Sequence, residues 1–276
     1  DEDSFVEVDS FVTHRNDEFN LHTHLVEGDG VVCGHGTVDG RRIFCFAQDF
    51  SVFGGSMGEM HALKIAKLAE MSERARIPLV GIWDGGGQRA HDGVHSLAGT
   101  GELLDRLVAC SGRIPMFSLI LGPVVGVSSL AAGLADFVIL GQDHGQLFLS
   151  SPLETEETVS GELTPQELGG ADLHASRSGI ACLIAADEDD ATEIVSELLS
   201  FLPDHCMAEP PIFESSDDPE RSCDSLEGLI PDDTNHPYDI RKVIGEVVDD
   251  SHFMELFETY ADNIIVGFAR LEGSTV

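Results

Sequence analysis

The sequence predicts an α/β fold in which strands covered on both faces alternate with helices. Two apolar segments, 78–83 and 114–121, have the length of buried strands, and each ends in a glycine-rich turn. A segment with helical spacing of its apolar residues follows each turn, at 96–111 and 127–135. Because strand, glycine turn and helix occur twice in succession, we expect an α/β domain organised around residues 80–133.

The two glycine-rich turns, 85–87 and 122–126, are the first candidates for a functional site. Each precedes a helix N-terminus, and glycine lets a ligand approach the backbone N–H groups there. Donors of this kind are what an oxyanion hole needs. One such turn is usually an ordinary strand-to-helix connection, but two in one unit favour a site that stabilises negative charge.

Periodicity and turn residues predict the remaining elements. Asp39-Gly40 supplies the positive φ angles of a hairpin turn between strands at 31–36 and 43–48. A helix at 57–75 should begin with Ser56 as its N-cap, and Glu59 completes a capping box. Further strands are predicted at 5–12, 137–140, 147–150 and 179–185, an acidic helix at 187–202, and helix starts at Ser151-Pro152 and Thr164-Pro165.

The end of the chain repeats the pattern of its beginning. The strings at 253–256 and 263–273 match those at 5–8 and 31–40, as F-[VM]-E followed by an apolar residue and then V-x-G-x-[GA]. A segment rich in Pro, Asp and Ser separates the two copies and is typical of a linker. We therefore predict a first domain at 1–208, a linker at 209–237 and the start of a second copy at 238–276.

The charge of the chain excludes several classes of protein. The chain contains 50 Asp and Glu residues but only 15 Lys and Arg residues, so its formal net charge is −35. Such a surface repels nucleic acid and anionic membranes, so we expect neither as a partner. The acidic residues are spread through globular sequence, which favours a halophilic surface over a disordered acidic tail. No apolar stretch reaches the ~18 residues of a membrane span.

The cysteines and histidines indicate a cytoplasmic protein without a metal site. The six cysteines form no CxxC pair, which favours reduced thiols. The closest histidine pairs, His22 with His24 and His91 with His95, lack a third ligand at a recognised spacing. The chain begins at Asp1 without a signal-like segment, so we expect a fragment of a longer protein.

Seven strings of the sequence carry a resemblance to a known family. They lie at 31–40, 48–56, 84–93, 96–99, 122–123, 166–171 and 263–270, and the most specific are 48–56 and 263–270. Together they resemble the carboxyltransferase β subunit of biotin-dependent acyl-CoA carboxylases, of the propionyl-CoA or acetyl-CoA carboxylase type. The resemblance covers nearly the whole chain and implies the crotonase-like ββα spiral, with the start of a second copy at the C-terminus.

The resemblance implies transfer of a carboxyl group from carboxybiotin to the α-carbon of a short acyl-CoA, with propionyl-CoA favoured. The backbone N–H groups of Gly126 and Val127 are expected to hold the thioester oxygen while the enolate forms. Biotin is expected on a partner carrier protein, acyl-CoA as the substrate, and no metal in this half-reaction.

The resemblance also implies partners. They are a biotin carboxylase or biotin carrier subunit and the C-terminal carboxyltransferase half of a neighbouring subunit, in a homo-oligomer that is a hexamer in the family. The active site then lies between two subunits. We therefore expect this chain alone to be inactive and to expose an apolar surface where its partner belongs.

Several further residues are candidates for substrate binding. The glycine turns contribute Gly85, Gly86, Gly87, Gly122 and Pro123. Arg89 could pair with Asp84 within its own turn or contact a CoA phosphate, and the ion pair is favoured. Lys64 and Lys67 lie on one predicted helical face and could bind CoA phosphates, although a solvated face is the simpler interpretation.

The sequence departs from the family pattern at three places, which leaves other functions open. Gly126-Val127 stands where the family has Gly-Gly. Residues 84–89 read D-G-G-G-Q-R where the family has D-S-G-G-A-R, and residues 150–152 read S-S-P where it has T-G-P. A degenerate subunit that binds acyl-CoA or acts as a scaffold is one alternative. A hydrolase, hydratase or acyl-CoA decarboxylase of the crotonase superfamily is another, although the string 126–130 is not the G-x-S-x-G of a serine nucleophile.

Overall fold

A computed structural model describes residues 1–152, 155, 164–231, 233 and 235–276. The strands are β1 (Val6–Val8), β2 (Val31–Val38), β3 (Arg41–Gln48), β4 (Leu79–Gly85), β5 (Met116–Val125), β6 (Phe137–Gly141), β7 (Gln146–Phe148), β8 (Leu183–Ala185), β9 (Phe253–Leu256), β10 (Val266–Leu271) and β11 (Ser274–Thr275).

The helices in the described residues are α1 (Glu59–Ala75), α2 (Val94–Cys110), α3 (Val127–Ala132), α4 (Pro165–Gly169), α5 (Ala171–Leu173), α6 (Glu188–Phe201), α7 (Leu226–Leu229) and α8 (Ile240–Val247). Short 3₁₀ turns lie at Glu18–Thr23, Phe53–Gly55, Ala90–Asp92 and Asp249–Ser251, and a π turn at His174–Ser178. No helix in the described part of the chain is both long and apolar enough to cross a membrane.

The main sheet mixes antiparallel and parallel strands. Its order is β1-β2-β3-β4-β5-β6-β8, and β7 pairs with the far end of β5. The β1-β2-β3 part is antiparallel, whereas β3 to β8 are parallel. The predicted hairpin between β2 and β3 is confirmed, because Asp39 and Gly40 take φ angles of 50° and 77°.

Two apolar layers cover the sheet. Trp83, Leu68 and Leu103 belong to the layer formed with α1, α2 and α3. The opposite face packs against α6 and the β9-β10 pair, through residues such as Ile139 and Phe201. Because the parallel strands are buried on both faces, their sequences are nearly continuous apolar runs rather than alternating ones.

The helix start predicted at Thr164 is confirmed, and the capping box predicted at Ser56 is wrong. The Thr164 side chain accepts the Glu167 N–H, and the two residues form a capping box. At α1 the N-cap is Gly58, and the carboxylate of Asp92 accepts the Glu59 N–H at 3.0 Å. Ser56 instead donates its hydroxyl to the Phe53 carbonyl. A cap supplied from 33 residues away replaces the local one.

Other predicted boundaries shift by a few residues. The strand predicted at 5–12 is Val6–Val8, and the one at 147–150 is Gln146–Phe148. The strand at 179–185 shortens to Leu183–Ala185, because Gly179 ends the preceding π turn with a φ of 67°. The helix start at Ser151-Pro152 leads into residues that lie outside the described part.

The β9-β10 pair repeats the β1-β2 pair in the same register. Glu7 lies opposite Gly34 in the first pair, and Glu255 lies opposite Gly267 in the second. A Cβ atom on Gly34 would meet the Phe5 ring, and one on Gly267 would meet the Phe253 ring. The same close approach therefore requires glycine at both positions, and this supports the start of a second copy of the fold. The domain limits remain a prediction.

Candidate functional site

The two glycine-rich turns meet at the carboxyl-terminal edge of the parallel sheet. The strands β4 and β5 are neighbours, and Gly85 pairs with Val124 near their ends. Further along, the position of a Cβ on Gly87 lies 3.2 Å from the Val125 carbonyl oxygen. The first turn therefore borders the backbone that leads into Gly126 and α3, as the sequence predicts.

The first turn is fixed to the loop before α1 by backbone hydrogen bonds. Gly86 donates its N–H to the Gly54 carbonyl at 3.0 Å. Met57 donates to the Gly87 carbonyl at 2.8 Å and accepts from the Arg89 N–H at 3.0 Å. Met57 and Gln88 form an isolated parallel bridge, and the N–H of Gln88 has no acceptor among the described residues. Backbone hydrogen bonds thus hold the 85–87 turn in place at the edge of the candidate site.

The predicted pair of oxyanion donors is only half available. Gly126 takes φ 70° and ψ −135° as the N-cap of α3, and its N–H donates to the Phe148 carbonyl at 2.8 Å. The prediction that the Gly126 N–H holds the thioester oxygen is therefore wrong. The N–H of Val127, the first residue of α3, has no acceptor within the described ranges, as expected for the first turn of a helix.

Ser128 has the burial but not the neighbours of a catalytic nucleophile. Its side chain is buried, and its hydroxyl has no hydrogen-bond partner among the described residues. A serine nucleophile needs a base within hydrogen-bond reach. The neighbouring Ser129 hydroxyl donates to the Gly126 carbonyl at 2.7 Å and so supports the turn. This arrangement does not favour a serine hydrolase.

Gly122 makes room for a carboxyl group rather than for substrate. A Cβ on Gly122 would collide with the Asp84 carboxylate, which projects from the end of β4. Burial, together with the nearby Asp49, raises the pKa of Asp84. The next residue, Pro123, pairs with Gln146 and begins the contact of β5 with β7. Gly122 and Pro123 therefore shape the strand end that precedes the site.

The expected ion pair between Arg89 and Asp84 is wrong. Arg89 is buried, and its guanidinium lies 2.5 Å from the Asp29 carboxylate. It also donates to the Ser56 carbonyl at 2.9 Å. A guanidinium without access to solvent does not reach a CoA phosphate, so Arg89 acts by holding the turn. Arg89 thus has the structural role that was favoured over phosphate binding, but its ion-pair partner is Asp29 rather than Asp84.

The two lysines do not form an exposed pair. Lys64 is buried, and its ammonium group donates to the Gly28 and Val31 carbonyls at 2.8 and 2.5 Å. Lys67 is exposed and pairs with Asp9 at 2.8 Å. The predicted shared face for CoA phosphates is therefore wrong, because the Lys64 ammonium group is held by the 28–31 segment and only Lys67 reaches solvent.

Two positioning residues were missed by the sequence analysis. The Gln48 carbonyl oxygen accepts the Asp84 N–H at 3.1 Å, and its amide nitrogen lies 3.0 Å from His61 Nε2. His61 Nε2 therefore accepts, and its Nδ1–H donates to the Asp29 carbonyl at 3.0 Å. Burial, with a contribution from the Arg89 charge, lowers the pKa of His61 to about 3. Two sequence signals point to them: both are polar residues within apolar segments, and Gln48 begins the specific string 48–56.

An apolar cavity lies beside α3. It has a volume of about 830 Å³ and is bounded by α2, α3, β7 and the segment from α4 to Ile180. No sequence motif indicates it, since its wall combines four distant segments. The wall residues are Leu104, Val108, Ser129, Leu130, Gly133, Leu134, Leu147, Phe148, Leu149, Ser150, Thr155, Leu168, His174 and Ile180.

The described residues contain no cluster of three or more His, Cys, Asp or Glu side chains arranged to hold a metal ion. All six cysteines are free thiols. Burial raises the pKa of Cys33 to about 12, which keeps it protonated and unreactive.

The mixed sheet, the repeated strand pair and the two glycine turns together form a crotonase-like α/β fold. Residues 1–276 match the family described as the carboxyl transferase domain, and the chain belongs to that family. The resemblance and the crotonase-like fold inferred from the sequence are thus confirmed.

Relatives of known function cover the whole chain. It is 43% identical to the propionyl-CoA carboxylase carboxyltransferase subunit of Haloferax mediterranei, over all of this chain and 54% of that protein. It is 42% identical to the methylmalonyl-CoA decarboxylase subunit alpha of Veillonella parvula, again over all of this chain and 54% of that protein. The chain spans about half the length of the curated relatives it matches.

A solved structure is also similar to this chain over its whole length. Transcarboxylase 12S, with methylmalonyl-coenzyme A and methylmalonic acid bound, superposes with a TM-score of 0.97 at 35% identity. The match covers all of this chain and 53% of that one. A geranyl-CoA carboxylase beta subunit from P. aeruginosa shares the fold, with a TM-score of 0.64 at 23% identity over all of this chain and 50% of that one.

Proposed function

We propose that the chain is the N-terminal, acyl-CoA-binding part of a carboxyltransferase. The reaction is carboxyl transfer between biotin and the α-carbon of a short acyl-CoA, and propionyl-CoA is the favoured substrate. The observation that carries this proposal is the match of the entire chain to the carboxyl transferase domain family. The glycine turns supply the chemistry that such a transfer needs at the thioester.

The main task of this chain is to stabilise an enolate. Removing the α-proton of an acyl-CoA places negative charge on the thioester oxygen, and preorganised N–H donors lower the energy of that charge. Val127 supplies one donor at the start of α3, where the helix dipole adds to it. The carboxyl group, and the base that takes the proton, come from carboxylated biotin delivered by a partner.

The second donor replaces the one that Gly126 does not provide. We assign it to the Gln88 N–H, which belongs to the turn that borders Val125 and is left free by the bridge to Met57. The bond from Gly126 to Phe148 has a supporting role, because it fixes the turn from which the Val127 N–H projects. The Gly85–Gly87 segment then forms the wall against which the thioester lies.

The direction of transfer is not fixed by the enolate. The relatives include both a propionyl-CoA carboxylase subunit and a methylmalonyl-CoA decarboxylase subunit. Adding a carboxyl group to the α-carbon and removing it pass through the same enolate. Donors at Val127 and Gln88 therefore serve both directions, and an assay must measure both.

A neighbouring subunit completes the site in this proposal. Large apolar side chains are exposed on one side of α2 and beside the cavity, namely Val94, Leu97, Val108, Leu130 and Leu149. Patches of this kind mark interfaces. We propose that the C-terminal half of a neighbouring subunit covers them, in a homo-oligomer such as a hexamer. The biotin carrier subunit is the second partner.

We further propose a halophilic, cytoplasmic setting. Even with every Lys and Arg paired, thirty-five acidic residues remain without a basic counterpart. Their mutual repulsion is screened at molar salt, where the Debye length is about 3 Å. Free thiols at all six cysteines are typical of a reducing compartment.

A second candidate function is acyl-CoA binding without turnover. It is favoured by the half-exposed Val127 side chain at the start of α3, because a branched residue there narrows the approach to the donor. Such a subunit would still hold the thioester but would fail to bring carboxylated biotin close to the α-carbon.

The experiment that tests the function uses the full-length protein, assembled with a biotin-loaded carrier in molar salt. Radiolabelled carboxyl transfer to propionyl-CoA, and the reverse transfer from methylmalonyl-CoA, are followed together with calorimetric binding of each thioester. Transfer in either direction supports the carboxyltransferase. Binding without transfer supports the second candidate. Absence of both binding and transfer would remove both proposals.

A further inference from the structure

We propose that the apolar cavity beside α3 is an acyl-chain pocket, so that the substrate class extends to unbranched acyl-CoAs of about six to eight carbons. This inference rests on the proposed function and names the substrate of the same site. The cavity volume of about 830 Å³ lies within the range of ~300–1,000 Å³ that ligand pockets occupy. The three carbons of a propionyl group would leave most of it empty.

The position of the cavity connects it to the reacting thioester. Ser129 and Leu130 line it and follow Val127 within one turn of α3. Phe148 lines it as well, and its carbonyl accepts the Gly126 N–H at 2.8 Å. Val127 does not itself line the cavity, but a thioester whose oxygen is held by its N–H lies beside the cavity wall, and the acyl chain is placed between α2 and α3.

The polar side chains in the wall offer little to a polar ligand. The Ser129 hydroxyl donates to the Gly126 carbonyl at 2.7 Å, and the Thr155 hydroxyl donates to the Ser151 carbonyl at 3.0 Å. His174 donates from Nε2 to the Leu147 carbonyl at 2.9 Å, and its Nδ1 lies 2.9 Å from the Ser178 hydroxyl. These three side chains are already satisfied within the protein, and Ser150 is the remaining polar side chain of the wall, so most of the surface is hydrocarbon.

The floor and the mouth of the cavity differ in exposure. Leu147 and Phe148 are buried, and Leu104 and Leu134 are partly buried against the core. Leu130 and Leu149, at the mouth, are 50% and 69% exposed. A neighbouring subunit that covers the mouth would close the pocket above the floor, so a chain held there would be removed from water on all sides.

The test varies the floor rather than the mouth, so that subunit contacts are left intact. Full-length wild type, Leu134→Phe and Leu134→Ala are assayed for carboxyl transfer to propionyl-, hexanoyl- and octanoyl-CoA, and for binding of each by calorimetry. Wild type should use octanoyl-CoA at least as well as propionyl-CoA. Leu134→Phe should lower kcat/KM for octanoyl-CoA more than 10-fold and change propionyl-CoA less than 3-fold. Leu134→Ala should raise kcat/KM for octanoyl-CoA relative to propionyl-CoA.

A matched control is Met71→Phe, because Met71 is also partly buried against the same core cluster but does not line the cavity. It should leave the chain-length preference unchanged. Restriction of wild type to propionyl-CoA, an equal loss for all chain lengths in Leu134→Phe, or a change in native mass in that variant would overturn the pocket assignment. If wild type binds octanoyl-CoA without transferring a carboxyl group, and Leu134→Phe abolishes that binding, the pocket assignment stands but the proposed carboxyltransferase function does not.

Discussion

The Arg89 guanidinium lies 2.5 Å from the Asp29 carboxylate, and the two side chains are 1% and 0% exposed. Arg89 follows the first glycine turn, and Asp29 precedes β2, so this ion pair joins the candidate site to the start of the main sheet. The carboxylate also accepts the His61 N–H at 2.9 Å. Each charge is thus compensated inside the protein, and this is the condition under which burial of a charge is tolerated.

Replacing Asp29 with Asn should destabilise the protein strongly. The variant keeps the shape of the side chain but leaves the buried Arg89 charge with only the more distant Asp92 carboxylate, at 4.0 Å, as its counterion. Breaking a buried ion pair by removing one partner typically costs about 3–5 kcal/mol. Urea unfolding at fixed molar salt measures the change. Lys67→Gln breaks the exposed pair with Asp9 and should cost less than about 1 kcal/mol. Equal losses in the two variants would contradict the role of burial.

The buried His61 should make stability depend on pH in mildly acidic solution. Its pKa falls from 6.5 to about 3 on folding, so between these values only the unfolded state holds the proton. The contribution is fully present above pH 6.5 and is lost as pH falls toward 3, by about 1.4 kcal/mol per pH unit.

The measurement is the free energy of unfolding of wild type and His61→Asn at several pH values, in molar salt. The difference between the two proteins cancels the effect of the many carboxyl groups. It should shrink by about 1.4 kcal/mol for each pH unit below 6.5. A difference that is constant across this range would mean that His61 is not held neutral by the fold.

Gly34 and Gly267 should respond alike to alanine, because a Cβ at either position meets a phenylalanine ring and a backbone carbonyl. Each substitution should cost about 1–3 kcal/mol in unfolding free energy. The control is Gly101→Ala in α2, where a Cβ meets nothing within 4 Å and helix propensity should favour the alanine. Tolerance at one of the two positions alone would argue against equivalent strands.

The sequence was sufficient for features that depend on local chemistry. Periodicity predicted the parallel strands around Trp83 and Ile120, and Asp39-Gly40 fixed the hairpin, because both signals lie within a few residues. The order of the repeated strings also predicted the β9-β10 pair. These features are present in the folded protein because tertiary contacts reinforce the same local preferences.

The parts of the site that the sequence did not predict are set by distant neighbours. Arg89 finds its partner sixty residues away, and the Gly126 N–H is taken by a carbonyl on β7, a strand added after α3. Lys64 lies on the helix face that meets the sheet, where its ammonium group caps two carbonyls of the 28–31 segment. Residue type and spacing give no information on such pairings.

Low salt should destabilise the protein because of its net charge of −35. Exposed carboxylates repel one another over a Debye length of about 10 Å at 0.1 M salt but only about 3 Å at 1 M. Circular dichroism during thermal unfolding should show a transition temperature that rises steeply with salt. Full cooperative folding in dilute buffer would contradict the halophilic interpretation.

The most direct test of the account is the turnover of Val127→Pro in the full-length protein with a biotin-loaded partner. Proline is tolerated at the first position of a helix, yet it removes the N–H assigned to the thioester oxygen. Turnover should fall by about 10²–10³, whereas Val127→Gly and Ser128→Ala, which keep that N–H, should retain it. A correctly folded Val127→Pro enzyme with wild-type turnover would contradict the proposed donor.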